Sequence, residues 1–255
     1  MILSIPSMFP RDDKIHVVRD NETETWRSDF TERKAEVPQL LLVEQQIPDS
    51  RILPHFHGID QFQVFIDGSG RLAKHAVTPI SIHYTNAWTG YGPIVAGEKG
   101  MSYYVMRPGL DVLGSQYIHV PESRQHLKRG RKRFLLAENI NRKTLDELRK
   151  LTTIETDRVI DVAADDPDAG VFAHIISMGP NTTFTGTDPR LGGGQVFFVM
   201  EGGMTHAGRE LGLRGAIAIT ITNVESAVTV KSGAAGVQIM YLQYARRPSG
   251  TQSTQ

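Results

Sequence analysis

The chain has 255 residues, of which 40% are hydrophobic and 22% charged, a composition typical of a soluble globular protein with one large or two smaller domains. Lys and Arg balance Asp and Glu at 28 each, so the formal net charge of zero argues against nucleic acid and anionic membranes as partners. The absence of cysteine excludes disulfides, thiolate nucleophiles and Cys-based zinc sites.

The N-terminal segment MILSIPSMFPRDD lacks the basic start, the long apolar stretch and the cleavage pattern of a secretion signal. No apolar run approaches the ~20 residues that a membrane helix requires. The sequence therefore predicts a cytoplasmic protein that does not enter a membrane.

Short runs rich in Val, Ile, Phe and Tyr recur between turn-forming residues, and each has the length and composition of a β-strand. In chain order they are QLLLVEQQI (39–47), QFQVFID (61–67), MSYYVMRP (101–108), VFAHIISM (171–178), QVFFVMEG (195–202), AIAITITN (216–223) and GVQIMYLQY (236–244). Many short strands predict an all-β sandwich or barrel. One segment, KTLDELRKL (143–151), predicts a helix, because its leucines recur three residues apart.

The predicted strands fall into two clusters, roughly 36–108 and 170–244, separated by a polar and charged stretch. We therefore predict a first barrel domain over 1–118, a connector with a short helix over 119–160, and a second barrel domain over 161–247. The clusters also resemble each other. QFQVFIDG (61–68) aligns without a gap with QVFFVMEG (195–202), and GMSYYVM (100–106) matches GVQIMYL (236–242), which predicts a duplicated unit.

The segment LPHFHGIDQFQVFIDGSG (53–70) carries the strongest chemical signal. Alternate residues of a strand share a face, so His55 and His57 project the same way, and Gln61 and Gln63 keep that parity across the intervening turn. Two imidazoles and an amide oxygen converging from one face can hold a divalent metal. The alternative is a pair of histidines at the barrel rim that hydrogen-bond the backbone.

The spacing His-x-His-x3-Gln-x6-Gly, from His55 to Gly68, resembles the first motif of the cupin superfamily, Gly-x5-His-x-His-x3/4-Glu-x6-Gly. The resemblance implies a metal held inside a small barrel by His55, His57 and Gln61. Together with the two-unit organisation, it implies a bicupin: two double-stranded β-helix (jelly-roll) barrels over roughly 36–245. Asp49 stands where the first glycine is expected, and Gln61 replaces glutamate, which would leave a bound metal more of its charge.

The second cupin motif, Pro-x-Gly-x2-His-x3-Asn, is absent, so the histidine that it supplies in the family is missing. We predict His83 as the replacement ligand, followed by His75 and then Tyr91. Gln63, His75, Trp88 and Tyr91 are expected to line the pocket or to support the ligands.

In the second unit, Pro189 and Leu191 occupy the positions of the two histidines. Neither side chain can ligate a metal. The second barrel is therefore expected to be a structural or dimerising copy.

Two histidines with one oxygen ligand favour Fe(II), while Mn, Ni, Zn and Cu also accept imidazole. The resemblance implies a metal-dependent enzyme acting on a small organic acid or ketone, most often dioxygenase-like, with isomerase and lyase chemistry also open. The alternative is a non-catalytic bicupin that binds or senses a small molecule. Because edge strands of barrels commonly pair between subunits, we also expect a homodimer.

Overall fold

The computed structural model describes residues 1–19, 23–221 and 226–246. Residues 222–223, at the end of one predicted strand, and residue 247, the predicted end of the second barrel domain, lie outside the described residues. Within the described ranges, no helix is both long and apolar enough to cross a membrane.

The chain divides into two compact units that differ from the predicted domains. The first barrel comprises Pro10–Asn141, and the second barrel comprises Met1–Phe9 together with the chain from Arg142 onward. Both are built from antiparallel sheets in the double-stranded β-helix arrangement.

The first barrel holds a continuous series of strands, and the second barrel combines one strand from the start of the chain with the strands that follow the first barrel. The second barrel takes strand β1 (Ile2–Ile5) from the start of the chain. The first barrel contains β2 (Ile15–Arg19), β3 (Thr23–Asp29), β4 (Gln39–Gln45), β5 (Arg51–Ile52), β6 (His55–Phe56), β7 (Gln61–Leu72), β8 (His75–Val77), β9 (Ser81–Thr85), β10 (Ile94–Arg107), β11 (Gln116–Tyr117), α1 (Pro121–Gln125) and β12 (Phe134–Ala137). The second barrel continues with α2 (Leu145–Arg149), β13 (Glu155–Asp161), β14 (Phe172–Met178), β15 (Thr183–Thr185), a short 3-10 helix (Pro189–Leu191), β16 (Gln195–His206), β17 (Arg209–Leu211), β18 (Ala216–Ile219) and β19 (Thr229–Gln243).

The two barrels share one strand order. The main sheet of the first barrel runs β12-β9-β7-β10-β4-β3-β2, and that of the second runs β1-β18-β16-β19-β14-β13. In each barrel the two longest strands are central neighbours, β7 with β10 and β16 with β19. β1 therefore takes the same edge of the second sheet that β12 takes in the first.

The stretch predicted as a connector, 119–160, is divided between the two units. β12 pairs with β9 of the first barrel, and β13 pairs with β14 of the second. The helix α2 is shorter than the predicted segment 143–151, because a capping box between Thr144 and Glu147 fixes its start and Lys150 is its C-cap. The other helix, α1, was not predicted.

The predicted duplication has a structural counterpart at two pairs of glycines. Gly68 and Gly100 have positive φ angles of 68° and 71°, and Gly202 and Gly236 have 75° and 79°. A Cβ on Gly68 would lie 2.1 Å from the Gly100 carbonyl oxygen, and one on Gly202 would lie 2.3 Å from that of Gly236. Gly68 and Gly202 must therefore be glycine for two reasons: the backbone has a positive φ, and a Cβ atom would clash with the facing strand.

The interior of the first barrel changes character along its length. β7 has a fully buried first half and an alternating second half, which is the expected pattern where a strand leaves the barrel interior. Apolar side chains of β4, β7 and β10, among them Leu41, Phe65 and Val105, form its core cluster. Next to this cluster, buried polar side chains mark the candidate site.

Candidate functional site

The two histidines of the motif lie side by side inside the first barrel. His55 and His57 are 3% and 6% exposed, and their ring centroids are 5.1 Å apart with the planes nearly perpendicular. The backbone of His55 exchanges two 3.0 Å hydrogen bonds with that of Tyr91, which fixes this short strand in place. The shared orientation predicted from the spacing is thus present.

Both rings are oriented through their Nδ1 atoms. His55 Nδ1 donates to the Leu53 carbonyl oxygen at 2.8 Å, and His57 Nδ1 donates to Asp111 Oδ2 at 2.6 Å. A carbonyl and an ionised carboxylate only accept hydrogen bonds, so each Nδ1 carries a proton.

The charge states of His57 and Asp111 follow from their surroundings. Burial lowers the pKa of His57, and the positive charge of Arg107 lowers it further. Burial acts to raise the pKa of Asp111, but the hydrogen bond from His57 and the positive charge of Arg107 outweigh it and lower that pKa to about 2. At neutral pH the pair is therefore a neutral imidazole donating to a carboxylate.

A buried arginine that the motif does not include occupies the centre of the site. Arg107, at the end of β10, donates from Nε to Gln61 Oε1 at 3.0 Å and from Nη1 to Gln39 Oε1 at 2.6 Å. Its Nη1 also lies 3.6 Å from Asp111 Oδ2, and its Nη2 lies 3.4 Å from His57 Nε2. Two neutral amide oxygens thus orient the guanidinium without cancelling its charge, and Asp111 supplies a carboxylate 3.6 Å away.

Gln61 and Gln63 serve different partners. The Gln61 amide nitrogen donates to the Tyr91 hydroxyl, while its oxygen is engaged by Arg107. Gln63 lines the cavity, and its oxygen accepts a 2.8 Å hydrogen bond from His83 Nδ1. His83 is therefore tied to Gln63, and burial, followed by the charge of His75, lowers its pKa to about 3.

The remaining predicted residues divide between the cavity and its surroundings. Tyr91 lines the cavity, and burial raises its pKa, which disfavours a phenolate ligand. His75 lies outside the cavity lining and stacks on Phe134, with its Nδ1 3.9 Å from Glu138. Trp88 also lies outside it, and its backbone nitrogen donates to the His57 carbonyl at 2.7 Å.

The site opens into a cavity of about 140 Å³ within the first barrel. His55, His57, Tyr91 and Arg107 contribute to one part of its wall, and apolar side chains of β4 and β10 contribute to another. An apolar cavity of ~150 Å³ holds benzene, so this one accommodates roughly six to eight non-hydrogen atoms. A small organic molecule fits.

The residues present do not fit the predicted metal. Among the described residues, no three His, Asp or Glu side chains stand together in a group that could hold a metal ion. His83 does not line the cavity, and the Gln61 oxygen accepts from Arg107. A divalent ion at His57 Nε2 would sit near the guanidinium, and at ~5 Å with an effective dielectric of ~20 the repulsion is roughly 7 kcal/mol.

The arrangement suits two kinds of chemistry. A buried guanidinium that faces a cavity recognises the oxygens of a carboxylate by charge-assisted hydrogen bonds. A neutral histidine oriented by a carboxylate is the usual arrangement of a general base. Because Arg107 and His57 adjoin, an acid held by the first would lie beside the second.

The second barrel carries an uncharged version of the same arrangement. Gln195 and Gln243 occupy the positions of Gln61 and Arg107 in the strand register, and Gln195 Nε2 donates to Gln243 Oε1 at 2.8 Å. Thr187 completes this network through hydrogen bonds to Gln195 and to Gln243. It contains neither a buried charge nor a histidine.

The motif search missed Arg107, Asp111 and Gln39. A signal for Arg107 was nevertheless present, because the alignment of GMSYYVM (100–106) with GVQIMYL (236–242), extended by one residue, pairs Arg107 with Gln243. An arginine at the end of a buried strand, where the second barrel has a neutral amide, indicates that the charge has a function in the first barrel. Asp111 lies in a loop and offered no comparable signal.

No protein-family model and no curated protein matches the sequence. Among solved structures, a candidate dioxygenase from Nostoc punctiforme is similar with a TM-score of 0.58 at 12% identity, over 97% of this chain and 84% of that one. The chain has the cupin fold, with two barrels. An oxalate decarboxylase of Lactobacillus farciminis in a formate complex is similar with a TM-score of 0.58 at 11% identity, over 96% of this chain and 86% of that one. A bacterial pirin of Escherichia coli in complex with nickel(II) is similar with a TM-score of 0.53 at 10% identity, over 96% of this chain and all of that one. At these identities the similarity shows the fold alone.

Proposed function

We propose that the first barrel of this bicupin binds a small organic acid, whose carboxylate is received by Arg107. The observation that carries the proposal is a buried guanidinium on the cavity wall, which the amide oxygens of Gln39 and Gln61 orient by hydrogen bonds. A buried charge is stabilised by an opposite charge at hydrogen-bonding distance. Asp111 lies 3.6 Å from Nη1, and its carboxylate also accepts from His57.

The chemistry that fits this site best is proton transfer on the bound acid. His57, neutral and oriented by Asp111, would accept a proton from a carbon next to the carboxylate, and Arg107 would stabilise the negative charge that develops. This is isomerase-like or lyase-like chemistry, and it needs no metal.

Carboxylate binding is tested by comparing propionate with its neutral isostere propionamide. Binding is measured by calorimetry, with wild type and the variants Arg107→Gln and Arg71→Gln. Gln is the residue that the second barrel carries at the matched position, so the first variant should fold, and Arg71 is an exposed arginine of β7 outside the cavity lining.

We expect wild type to bind propionate in preference to propionamide. Loss of a charge-assisted hydrogen bond costs about 1.5–3 kcal/mol, so Arg107→Gln should weaken propionate at least about tenfold. Arg71→Gln should bind like wild type. Equal affinity for acid and amide, or propionate binding that survives Arg107→Gln unchanged, contradicts the proposal.

The metal-dependent, dioxygenase-like enzyme predicted from the sequence, with Fe(II) as the favoured metal, is the second candidate. One observation favours it: both histidines have Nδ1 engaged by a fixed oxygen, the orientation typical of metal ligands. Elemental analysis of the purified protein and of a His55→Ala, His57→Ala variant tests it. Stoichiometric metal that the double variant loses would favour the enzyme. The homodimer and the cytoplasmic location remain predictions from the sequence.

A further inference from the structure

Three arginines line the cavity of the first barrel at different depths. The exposed fraction of the side chain is 9% for Arg107 and 22% for Arg27, and Arg33 is an exposed residue. Asp111 is the one carboxylate among the described residues that line the cavity with them. Asp29, outside the lining, pairs with Arg27 at 3.0 Å, so three arginines stand against two nearby carboxylates and positive charge remains in excess by one.

The middle arginine has hydrogen-bonding capacity that the protein does not use. Arg27 Nη2 donates to Asp29 Oδ2 at 3.0 Å, but the Nε atom of Arg27 is buried and has no hydrogen-bond partner among the residues that the structure describes. A desolvated donor without an acceptor is unfavourable. An anionic oxygen brought into the cavity by a ligand would satisfy it, which marks Arg27 as a second point of attachment.

The strand register separates Arg27 from Arg107. Arg107 lies opposite Gln39 of β4, and Arg27 of β3 lies opposite Val43 of the same strand. Gln39 and Val43 are four residues apart, about 13 Å at ~3.3 Å per residue, and β10 and β3 flank β4 at a spacing of about 10 Å, so the backbones of the two arginines are roughly 16 Å apart. Both long side chains reach the same small cavity from these positions. A single carboxylate that is bound at Arg107 leaves the Nε atom of Arg27 without an acceptor.

We propose that the ligand of the first barrel is a short dicarboxylate, with one carboxylate at Arg107 and the other at Arg27. This inference rests on the proposed function, which supplies the first of the two attachment points. The cavity volume of about 140 Å³ limits the ligand to roughly six to eight non-hydrogen atoms, which is the size of a three- or four-carbon dicarboxylate. Arg33 would add attraction at the entrance rather than a direct contact.

The test compares matched pairs of acids that differ by one carboxylate: malonate with propionate, and succinate with butyrate. Dissociation constants are measured by calorimetry for wild type, Arg27→Gln and the control Arg71→Gln. The expected wild-type result is a dicarboxylate at least tenfold tighter than its monocarboxylate partner. Arg27→Gln should lower malonate affinity at least tenfold more than it lowers propionate affinity, and Arg71→Gln should preserve the wild-type ratio.

Each other outcome has a distinct meaning. Equal affinity of wild type for malonate and propionate overturns the dicarboxylate inference while the carboxylate site at Arg107 stands. Binding of neither acid overturns both proposals. An unchanged malonate-to-propionate ratio in Arg27→Gln removes Arg27 from the site. Should Arg27→Gln not fold, the wild-type ratios for the two acid pairs still decide, and Arg27→Lys, which keeps the charge, replaces the variant.

Discussion

Replacing Asp111 with Asn tests the electrostatic balance around the buried guanidinium. The Asp111 carboxylate accepts from His57 Nδ1 at 2.6 Å and lies 3.6 Å from Arg107 Nη1. Its pKa falls from the ordinary 3.8 to about 2 on folding. Such a change contributes about 2.5 kcal/mol to the free energy of unfolding at neutral pH. Because Asn keeps the shape but lacks the charge, Asp111→Asn should lose about this much stability at pH 7.

The stabilisation by the Asp111 carboxylate should depend on pH in a definite direction. A carboxyl with a lowered pKa stabilises the fold fully above its unfolded pKa, near 4, and this stabilisation disappears as the pH falls through the folded value of about 2. The difference in unfolding free energy between wild type and Asp111→Asn should therefore be constant from pH 7 to 5 and shrink below pH 4. Tryptophan fluorescence during urea unfolding measures it, since the chain's two tryptophans, Trp26 and Trp88, both belong to the first barrel.

The same substitution should change ligand binding in the opposite direction. A carboxylate bound at Arg107 would be repelled by Asp111, and at ~6 Å with an effective dielectric of ~20 this repulsion is about 2–3 kcal/mol. Asp111→Asn should therefore bind propionate more tightly, by up to about 100-fold. Weaker binding by the variant would show that Asp111 positions Arg107 rather than competing with the ligand, and an unchanged unfolding free energy would refute the stability argument.

Four further predictions follow from the contacts described above. Arg107→Gln removes the charge that repels cations, so equilibrium dialysis should show Ni(II) binding to this variant and weak or no binding to wild type. In Gln61→Glu the new carboxylate would pair with the Arg107 guanidinium, so the propionate affinity of the variant should fall by about tenfold or more in calorimetry. Gly68→Ala places a Cβ 2.1 Å from a β10 carbonyl oxygen and should cost roughly 3 kcal/mol or more in urea unfolding, whereas Gly114→Ala, at a similar φ but with nothing within 4 Å, should cost about 1 kcal/mol. Thr144→Ala breaks the capping box of α2 and should cost about 1 kcal/mol by circular dichroism, with Thr144→Ser retaining most of the stability.

The barrels and the histidine pair were predictable because their signals are local. Strand runs bounded by glycine and proline need no knowledge of their partners, and the alternation of side chains places His55 beside His57 whatever the strand pairs with. The duplicated Asp67-Gly68 and Glu201-Gly202 steps are equally local, since each glycine is required by its own backbone conformation. For these features the sequence and the structure agree.

The domain boundaries and the centre of the site depend on contacts between distant segments. β13 is largely exposed and β12 has only four partly buried residues, so these strands resemble loops in composition although they complete the sheet edges. Arg107 reaches Gln61 and Gln39 only through the register of β10 with its two neighbours, and Asp111 approaches His57 from a loop. The pattern of residues within one segment does not predict contacts between segments that are distant in the sequence.

The departure of Gln61 from the glutamate of the cupin motif acquires a physical reason once Arg107 is placed beside it. A glutamate there would form a buried ion pair with the guanidinium and leave little net charge for a ligand. Glutamine accepts the same hydrogen bond from Nε without neutralising the arginine. The second barrel keeps this glutamine as Gln195 and opposes it with Gln243, so there the pair is neutral on both sides. Arg107 of β10 and Gln243 of β19 occupy matched positions, and this difference decides whether the glutamine of each barrel faces a guanidinium or a neutral amide.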